Sequence, residues 1–272
     1  MAIRHLITGS FITLLLLGGC GSVPDTDAGS ADAGSAPQQA VIVDPPLDDA
    51  AVQDEQAQPL AGVVLCLDPG HGVTDASASE RVSPLSQETK PAYVSGAEGD
   101  GQTEEELNLA VAELARAELE ARGAQVVMTR QDHAATTSNQ QRASIANEAH
   151  VDLCIRIHAD GSESSQPSGM SMQVPAGDLL GTPSIEQPSA QAAQIILQAV
   201  TQQTGADSRG LTPRSDLTGF NWSEVPCILL EMGFLSNAQE NEQLKQQEYR
   251  QNIAVGIANG VCQWNQNKNK EV

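Results

Sequence analysis

Aromatic residues make up only 3% of this 272-residue chain. That scarcity argues against a stacking platform of the kind that holds bases or sugar rings. Basic residues are few as well: 14 Lys and Arg stand against 35 Asp and Glu, a formal net charge of −21. Nucleic acid wants a basic face, so it is not an expected partner. No pair among the five cysteines has the Cys-x-x-Cys spacing of a structural zinc site. The apolar run from Leu6 to Leu17 covers twelve residues, too few to span a bilayer as a helix. No internal repeat is present.

The beginning of the chain has its own logic. Arg4 supplies a positive charge ahead of the Leu6–Leu17 run, the pattern of an export signal. The run ends in Leu17-Gly18-Gly19-Cys20, which resembles the lipobox of bacterial lipoproteins. That resemblance implies cleavage after residue 19, lipidation of Cys20 and an exported protein anchored to a membrane. A plain secretory signal followed by a chance cysteine is the alternative. Two acyl chains anchor stably where one would not. From Gly21 to about Leu60 there are eight acidic residues and no basic ones, among many Ala, Ser, Pro, Gly and Gln. Such a composition cannot bury enough apolar surface to order itself. As a coil of about 40 residues it would reach roughly 35 Å, a spacer between membrane and folded domain. The expected organisation is therefore signal peptide 1–19, lipidated linker 20–60 and folded domain 61–268.

Within the folded part, Val63-Val64-Leu65-Cys66-Leu67 runs into Asp68-Pro69-Gly70-His71-Gly72. This predicts a buried strand followed by a turn whose proline and glycines aim the imidazole. Two further apolar runs end similarly. Val151–Ile157 leads to His158-Ala159-Asp160-Gly161, and Pro226–Leu230 leads to Glu231-Met232-Gly233. Ligand chemistry in open α/β sheets sits at the carboxyl ends of strands. Two imidazoles and a carboxylate on one such rim suit zinc with an open coordination position. Asp68 is a candidate to accept a hydrogen bond from the far nitrogen of a metal-bound histidine, as such histidines usually require. Turn formation alone would also explain it, and is the expected role of Asp160. His133 and His150 fall outside the strand-end pattern and are expected at the surface. Arg214 could meet a substrate carboxylate or be a solvated loop residue.

Helices are predicted between these strands. Thr103 and Glu106 form a capping box ahead of Leu107, Ala110, Val111 and Leu114. Helices are also expected over 138–149, 189–204 and 246–264, with a short one from Asn237. Gln125–Thr129 and Gly169–Val174 read as strands, and the stretch after Gly205 as a loop. Residues 73–102 form a polar loop too long for a bare connection. The alternation predicts a single α/β domain with a mostly parallel, twisted sheet and helices on both faces. Cys66, Cys154, Cys227 and Cys262 could pair in an exported protein, but buried small hydrophobes explain them as well.

Five blocks, in order, resemble the zinc-dependent N-acetylmuramoyl-L-alanine amidases of bacterial cell-wall turnover. They are Leu67–Gly72, Glu104 with Asn108-Leu109, Arg142–Asn147, Ile157–Asp160 and Glu231–Asn237. The resemblance covers about residues 62–264. It implies that His71, Glu104 and His158 hold one zinc ion and that Glu231 is the catalytic glutamate. It also implies peptidoglycan as substrate. Glu104 is preferred over its acidic neighbours by its distance of four from Asn108. Val73, the length of the 73–102 loop and Arg156 depart from the family pattern, and no cell-wall-binding repeat is present. A monomer is expected, and an activator that moves the 73–102 loop off the site is one expectation for regulation. The alternatives are a catalytically silent peptidoglycan-binding lipoprotein and a zinc peptidase cutting within the stem peptide.

Overall fold

The computed structural model describes residues 58–75 and 77–270. The segments read as signal peptide and lipidation site, with nearly all of the acidic linker, lie outside the described residues. Along the chain, β1 (Val64–Pro69) is followed by two small hairpins: β2 (Ser79–Arg81) with β3 (Thr89–Pro91), and β4 (Glu98–Gly99) with β5 (Gln102–Thr103). Then come α1 (Glu104–Glu120), β6 (Gln125–Met128), α2 (Asn139–Glu148), β7 (Leu153–Asp160) and β8 (Met170–Pro175). The remainder is α3 (Glu186–Thr204), β9 (Ser208–Arg214), α4 (Thr218–Asn221), β10 (Cys227–Phe234), α5 (Ala238–Lys245) and α6 (Gln247–Lys268).

Six strands form one sheet in the order β6-β1-β7-β10-β8-β9. The first four are mutually parallel, β8 runs antiparallel to β10, and β9 is parallel to β8. The predicted mostly parallel α/β sheet is therefore present, with a reversed two-strand edge. Helices cover both faces, which is why β1, β7 and β10 are continuous apolar runs rather than alternating ones. One face carries Leu65, Leu67, Ile155, Ile157, Leu230 and Met232 against α1, α3 and α6. The other carries Cys66, Cys154, Cys227 and Leu229 against Ala146, Leu180 and Phe220. Each fully buried side chain of this size contributes about 1.5–3 kcal/mol by leaving water.

From β1 the chain crosses to β6 on one side through α1, then back past β1 to β7 through α2. The crevice at the carboxyl ends of β1 and β7 is thus a topological switch point, where α/β sheets bind ligands.

Several local readings need correction. Ser208–Arg214 is a strand and not a loop. Its Gly210 and Pro213 mask the pattern, and as an edge strand it has no second neighbour to demand one. The helix expected from Ser189 begins at Glu186, with Pro188 in its first turn, where a missing N–H costs nothing. The four cysteines are free thiols. Cys66, Cys154 and Cys227 are register partners in three adjacent strands and belong to the core.

Candidate metal centre and active site

The turn after β1 is held by arginines. Pro69 O accepts from Arg130 Nε at 2.9 Å and Arg142 Nη1 at 2.7 Å. Gly70 O accepts from Arg130 Nη2 at 2.9 Å, and His71 O from Arg142 Nη2 at 2.5 Å. These bonds hold His71 in left-handed backbone, φ 62°, a conformation that costs a non-glycine residue free energy and clusters at functional sites. His71 Nδ1 lies 2.8 Å from the Val94 carbonyl. Because a carbonyl only accepts, Nδ1 carries a hydrogen, which leaves Nε2 as the nitrogen that would face a metal.

Glu104 opens α1. Thr103 and Glu106 close the predicted capping box, so Glu106 is used for structure and Glu104 is free to turn inward, where it is buried. Its Oε1 lies 3.0 Å from His71 Nε2 and 3.0 Å from His158 Nδ1. Asn108 Nδ2 and Ala159 N–H also reach that oxygen, at 3.2 Å each, while Ala97 N–H donates to Oε2 at 2.7 Å. The two histidine rings meet edge to face with centroids 4.9 Å apart.

His158 packs directly against Gly70: a Cβ there would fall on the imidazole. Its Nε2 is buried and has no hydrogen-bond partner among the described residues, an unmet polar atom close to His71 and Glu104. One ligand atom each from His71, Glu104 and His158 lies within 4.8 Å of the others. Two imidazoles and a carboxylate at this spacing fit zinc and leave a coordination position open.

The electrostatics suit a cation. At His71 burial disfavours the imidazolium, but the hydrogen bond and charge of Glu104 outweigh it and raise the pKa. His158 is more deeply enclosed, so burial outweighs the same carboxylate and pushes it down to about 4. Burial opposes ionisation of Glu104 too, yet the bonds from His158 and His71 hold it well below the usual carboxylate range.

Glu231 on β10 is the register partner of His158 on β7, one strand spacing away. It is 7% exposed, its Oε1 accepts from Gln173 Nε2 at 2.9 Å, and its Oε2 is buried without a partner among the described residues. Burial pushes its pKa well up, with help from the negative charges of Asp160 and Glu104. A carboxyl whose pKa is raised holds a proton more readily than an ordinary glutamate, which suits it to take one and return it.

A family model described as N-acetylmuramoyl-L-alanine amidase matches residues 65–263. The chain belongs to the N-acetylmuramoyl-L-alanine amidase family. It is 29% identical over 211 residues to the N-acetylmuramoyl-L-alanine amidase Rv3717 of Mycobacterium tuberculosis, covering 75% of this chain and 86% of that one. It is 28% identical over 224 residues to the N-acetylmuramoyl-L-alanine amidase LytC of Bacillus subtilis, covering 82% of this chain and 40% of LytC, so it spans less than half that relative. The crystal structure of the N-acetylmuramyl-L-alanine amidase Ami1 from Mycobacterium smegmatis matches at a TM-score of 0.70 and 28% identity, covering 76% of this chain and 99% of that one. The CwlD amidase of Clostridioides difficile, solved in complex with the GerS lipoprotein, shares the fold at a TM-score of 0.59 and 23% identity, covering 75% of this chain and 98% of that one.

Within this amidase domain the sequence placed His71, Glu104, His158 and Glu231 together, and the geometry brings them together. Asp68 is different. It reaches neither histidine, because its oxygens are taken by Arg142 and Arg156 at 2.6 Å and Thr129 at 2.5 Å; Val94 holds His71 instead. Asp68 supports the site one step removed, by fixing the arginine that holds the His71 carbonyl. Arg214 is neither free nor simply solvated: Asp216 grips it through two bonds of 2.7 Å, and it donates to Gln173 at 2.9 Å. His133 is exposed beside Glu105, as expected.

The 73–102 loop is tied down. Trp222 Nε1 donates to Arg81 O at 2.9 Å, Asn221 Nδ2 to Val82 O at 3.0 Å, and Glu80 accepts from Asn139 and the Gln140 N–H at 2.9 Å. Its far end supplies Val94 and Ala97 to the site. Gly96 between them has no room for a side chain, since a Cβ would lie 2.7 Å from Glu104 Oε2. A cavity of about 50 Å³ beside His71 is lined by Val73, Tyr93, Val94, Asn139 and Arg142.

Sequence reasoning missed Arg130, Gln173 and the Val94 carbonyl. For Gln173 a signal existed: the alternation in Met170–Val174 puts it opposite Met170 and Met172, on the face of Glu231.

Proposed function

We propose that this protein is a zinc-dependent hydrolase that cleaves the amide between the lactyl group of N-acetylmuramic acid and the L-alanine of peptidoglycan stem peptides. The observation that carries this reading is the convergence of His71, Glu104 and His158 within 4.8 Å, beside a buried glutamate on the next strand. Zinc, when bound by those three residues, supplies a Lewis acid for the scissile carbonyl and lowers the pKa of water to about 7. Glu231 takes the proton of the attacking water as its oxygen bonds to the carbonyl carbon. It returns that proton to the leaving amine as the carbon–nitrogen bond breaks. Glu104 and the neutral imidazoles stay in place throughout, held by Asn108, Ala97, Ala159 and Val94.

The presence of the whole set, Glu231 included, favours an enzyme over a silent binding lipoprotein. A peptidase acting within the stem is separated from the amidase by its products. We infer that residues 1–19 direct export, that Cys20 carries the lipid and that the 20–60 linker lets the domain reach the wall. Cys20→Ser should then move the protein from the membrane fraction to the soluble exported fraction. The active form is read as a monomer. An activator would act through the 73–102 loop, whose far end lies against His71 and Glu104.

The test is Glu231→Gln. The variant should keep its zinc and lose at least about a hundredfold in turnover, the scale of general acid–base catalysis. Wild-type turnover in that variant would end the assignment.

A further inference from the structure

Glu231 does not stand alone on its face of the sheet. Gln173 on β8 lies diagonally across from it, one position beyond its register partner Ser171 on the same face. Gln173 Nε2 donates to Glu231 Oε1 at 2.9 Å, and Arg214 Nη1 donates to Gln173 Oε1 at 2.9 Å. Arg214 ends β9, beside Pro175 at the end of β8, and Asp216 clamps its guanidinium by two parallel bonds.

This chain of bonds has one direction. A side-chain amide can turn over and exchange its oxygen for its nitrogen, but a guanidinium has only donors. Whatever faces Arg214 must therefore be the oxygen of Gln173. Its N–H₂ must then face Glu231, and Glu231 Oε1 must accept. The other carboxyl oxygen, Oε2, is buried and has no partner among the described residues.

Building on the role given to Glu231 above, we propose that Gln173 is a positioning residue for the reaction. Its amide, oriented by Arg214, pins Oε1 as an acceptor and leaves Oε2 as the oxygen that exchanges the proton with water and leaving amine. The rotamer of a catalytic carboxyl is thereby set before substrate arrives, rather than sampled at each turnover. Gln173 itself touches no reacting atom.

The experiment compares Gln173→Met, Gln173→Glu, Arg214→Met and Glu231→Gln in the full-length protein, with zinc content, thermal midpoint and steady-state cleavage of a soluble muramoyl peptide. Gln173→Met should lower kcat about 10- to 100-fold, the worth of a hydrogen bond to a charged group, with KM within about twofold. Zinc content and midpoint should stay at wild-type values. Gln173→Glu should lose as much, because an ionised glutamate of the same length offers Glu231 no donor. Arg214→Met should lose less, since the amide is then free to turn over but still present.

A second readout needs no variant to be active. In the ¹H–¹⁵N spectrum the Gln173 side-chain amide should be protected from solvent exchange in the wild type and shifted in Glu231→Gln. Wild-type kcat in Gln173→Met, a loss that merely tracks a lowered midpoint or zinc content, or a rapidly exchanging Gln173 amide would each overturn the proposal. An active Glu231→Gln would instead remove the functional reading beneath it.

Discussion

Asp68 Oδ2 accepts a hydrogen bond from Arg156 Nε at 2.6 Å, across the two strands in which these residues are register partners. Oδ1 of the same carboxylate takes Arg142 at 2.6 Å, and Arg142 in turn holds the carbonyls of Pro69 and His71. The histidine turn therefore hangs from a buried ionic knot. Removing the one anion leaves two buried guanidiniums uncompensated, and breaking such a pair costs about 3–5 kcal/mol. Asp68→Asn should lower the free energy of urea unfolding by that amount. Arg156→Met should cost less, because Asp68 keeps Arg142 and Thr129. A loss under about 1 kcal/mol in Asp68→Asn would contradict the knot.

The same knot gives a pH dependence with a definite sign. Burial alone would raise the pKa of Asp68, but the charges of Arg142 and Arg156 outweigh it and hold the carboxyl well below its usual range. In the unfolded chain it titrates near 3.9. A depressed folded value means that its stabilisation is fully present above the unfolded pKa and drains away as pH falls toward the folded one. By pH 3 the wild type should have lost about 1 kcal/mol of its advantage over Asp68→Asn, measured against pH 6. A constant difference across that range would mean that Asp68 is not depressed.

Gly70 is required by the ring above it. In Gly70→Ala the new methyl would occupy the place of the His158 imidazole, so that ring must swing away. Zinc retained after dialysis should fall well below one per chain, while circular dichroism keeps the α/β signature. Full zinc occupancy would show that the ring has room to move.

Glu104 and Glu105 make a clean pair. Glu105 meets Arg130 at 3.5 Å and His133 at 3.1 Å, where Glu104 meets His71 and His158. Glu104→Gln should lose stoichiometric zinc and Glu105→Gln should keep it. The reverse result would reassign the carboxylate.

Much of this was legible in the sequence, for identifiable reasons. β1, β7 and β10 are buried on both faces, so their apolar runs stand out, and each ends where the chemistry begins. Thr103 and Glu106 declare the start of α1, which separates Glu104 from its neighbours. What stayed hidden was long-range or backbone-borne. Arg130 reaches the Gly70 carbonyl over 60 residues of sequence, and nothing local to either residue predicts that bond. Val94 acts through its carbonyl, a group every residue has. The hairpins at 79–91 and 98–103 have strands of two or three residues, too short for any periodicity to register. Arg156, visible only as an oddity before Ile157, became intelligible once β1 was laid beside β7.

The measurement that tests the central claim most directly is mass spectrometry of fragments released from purified peptidoglycan by the protein, with and without a chelator. The account predicts free stem peptides beginning with L-alanine, lost on chelation and restored by added zinc. Fragments cut elsewhere in the stem, or release that persists when all metal has been removed, would contradict it.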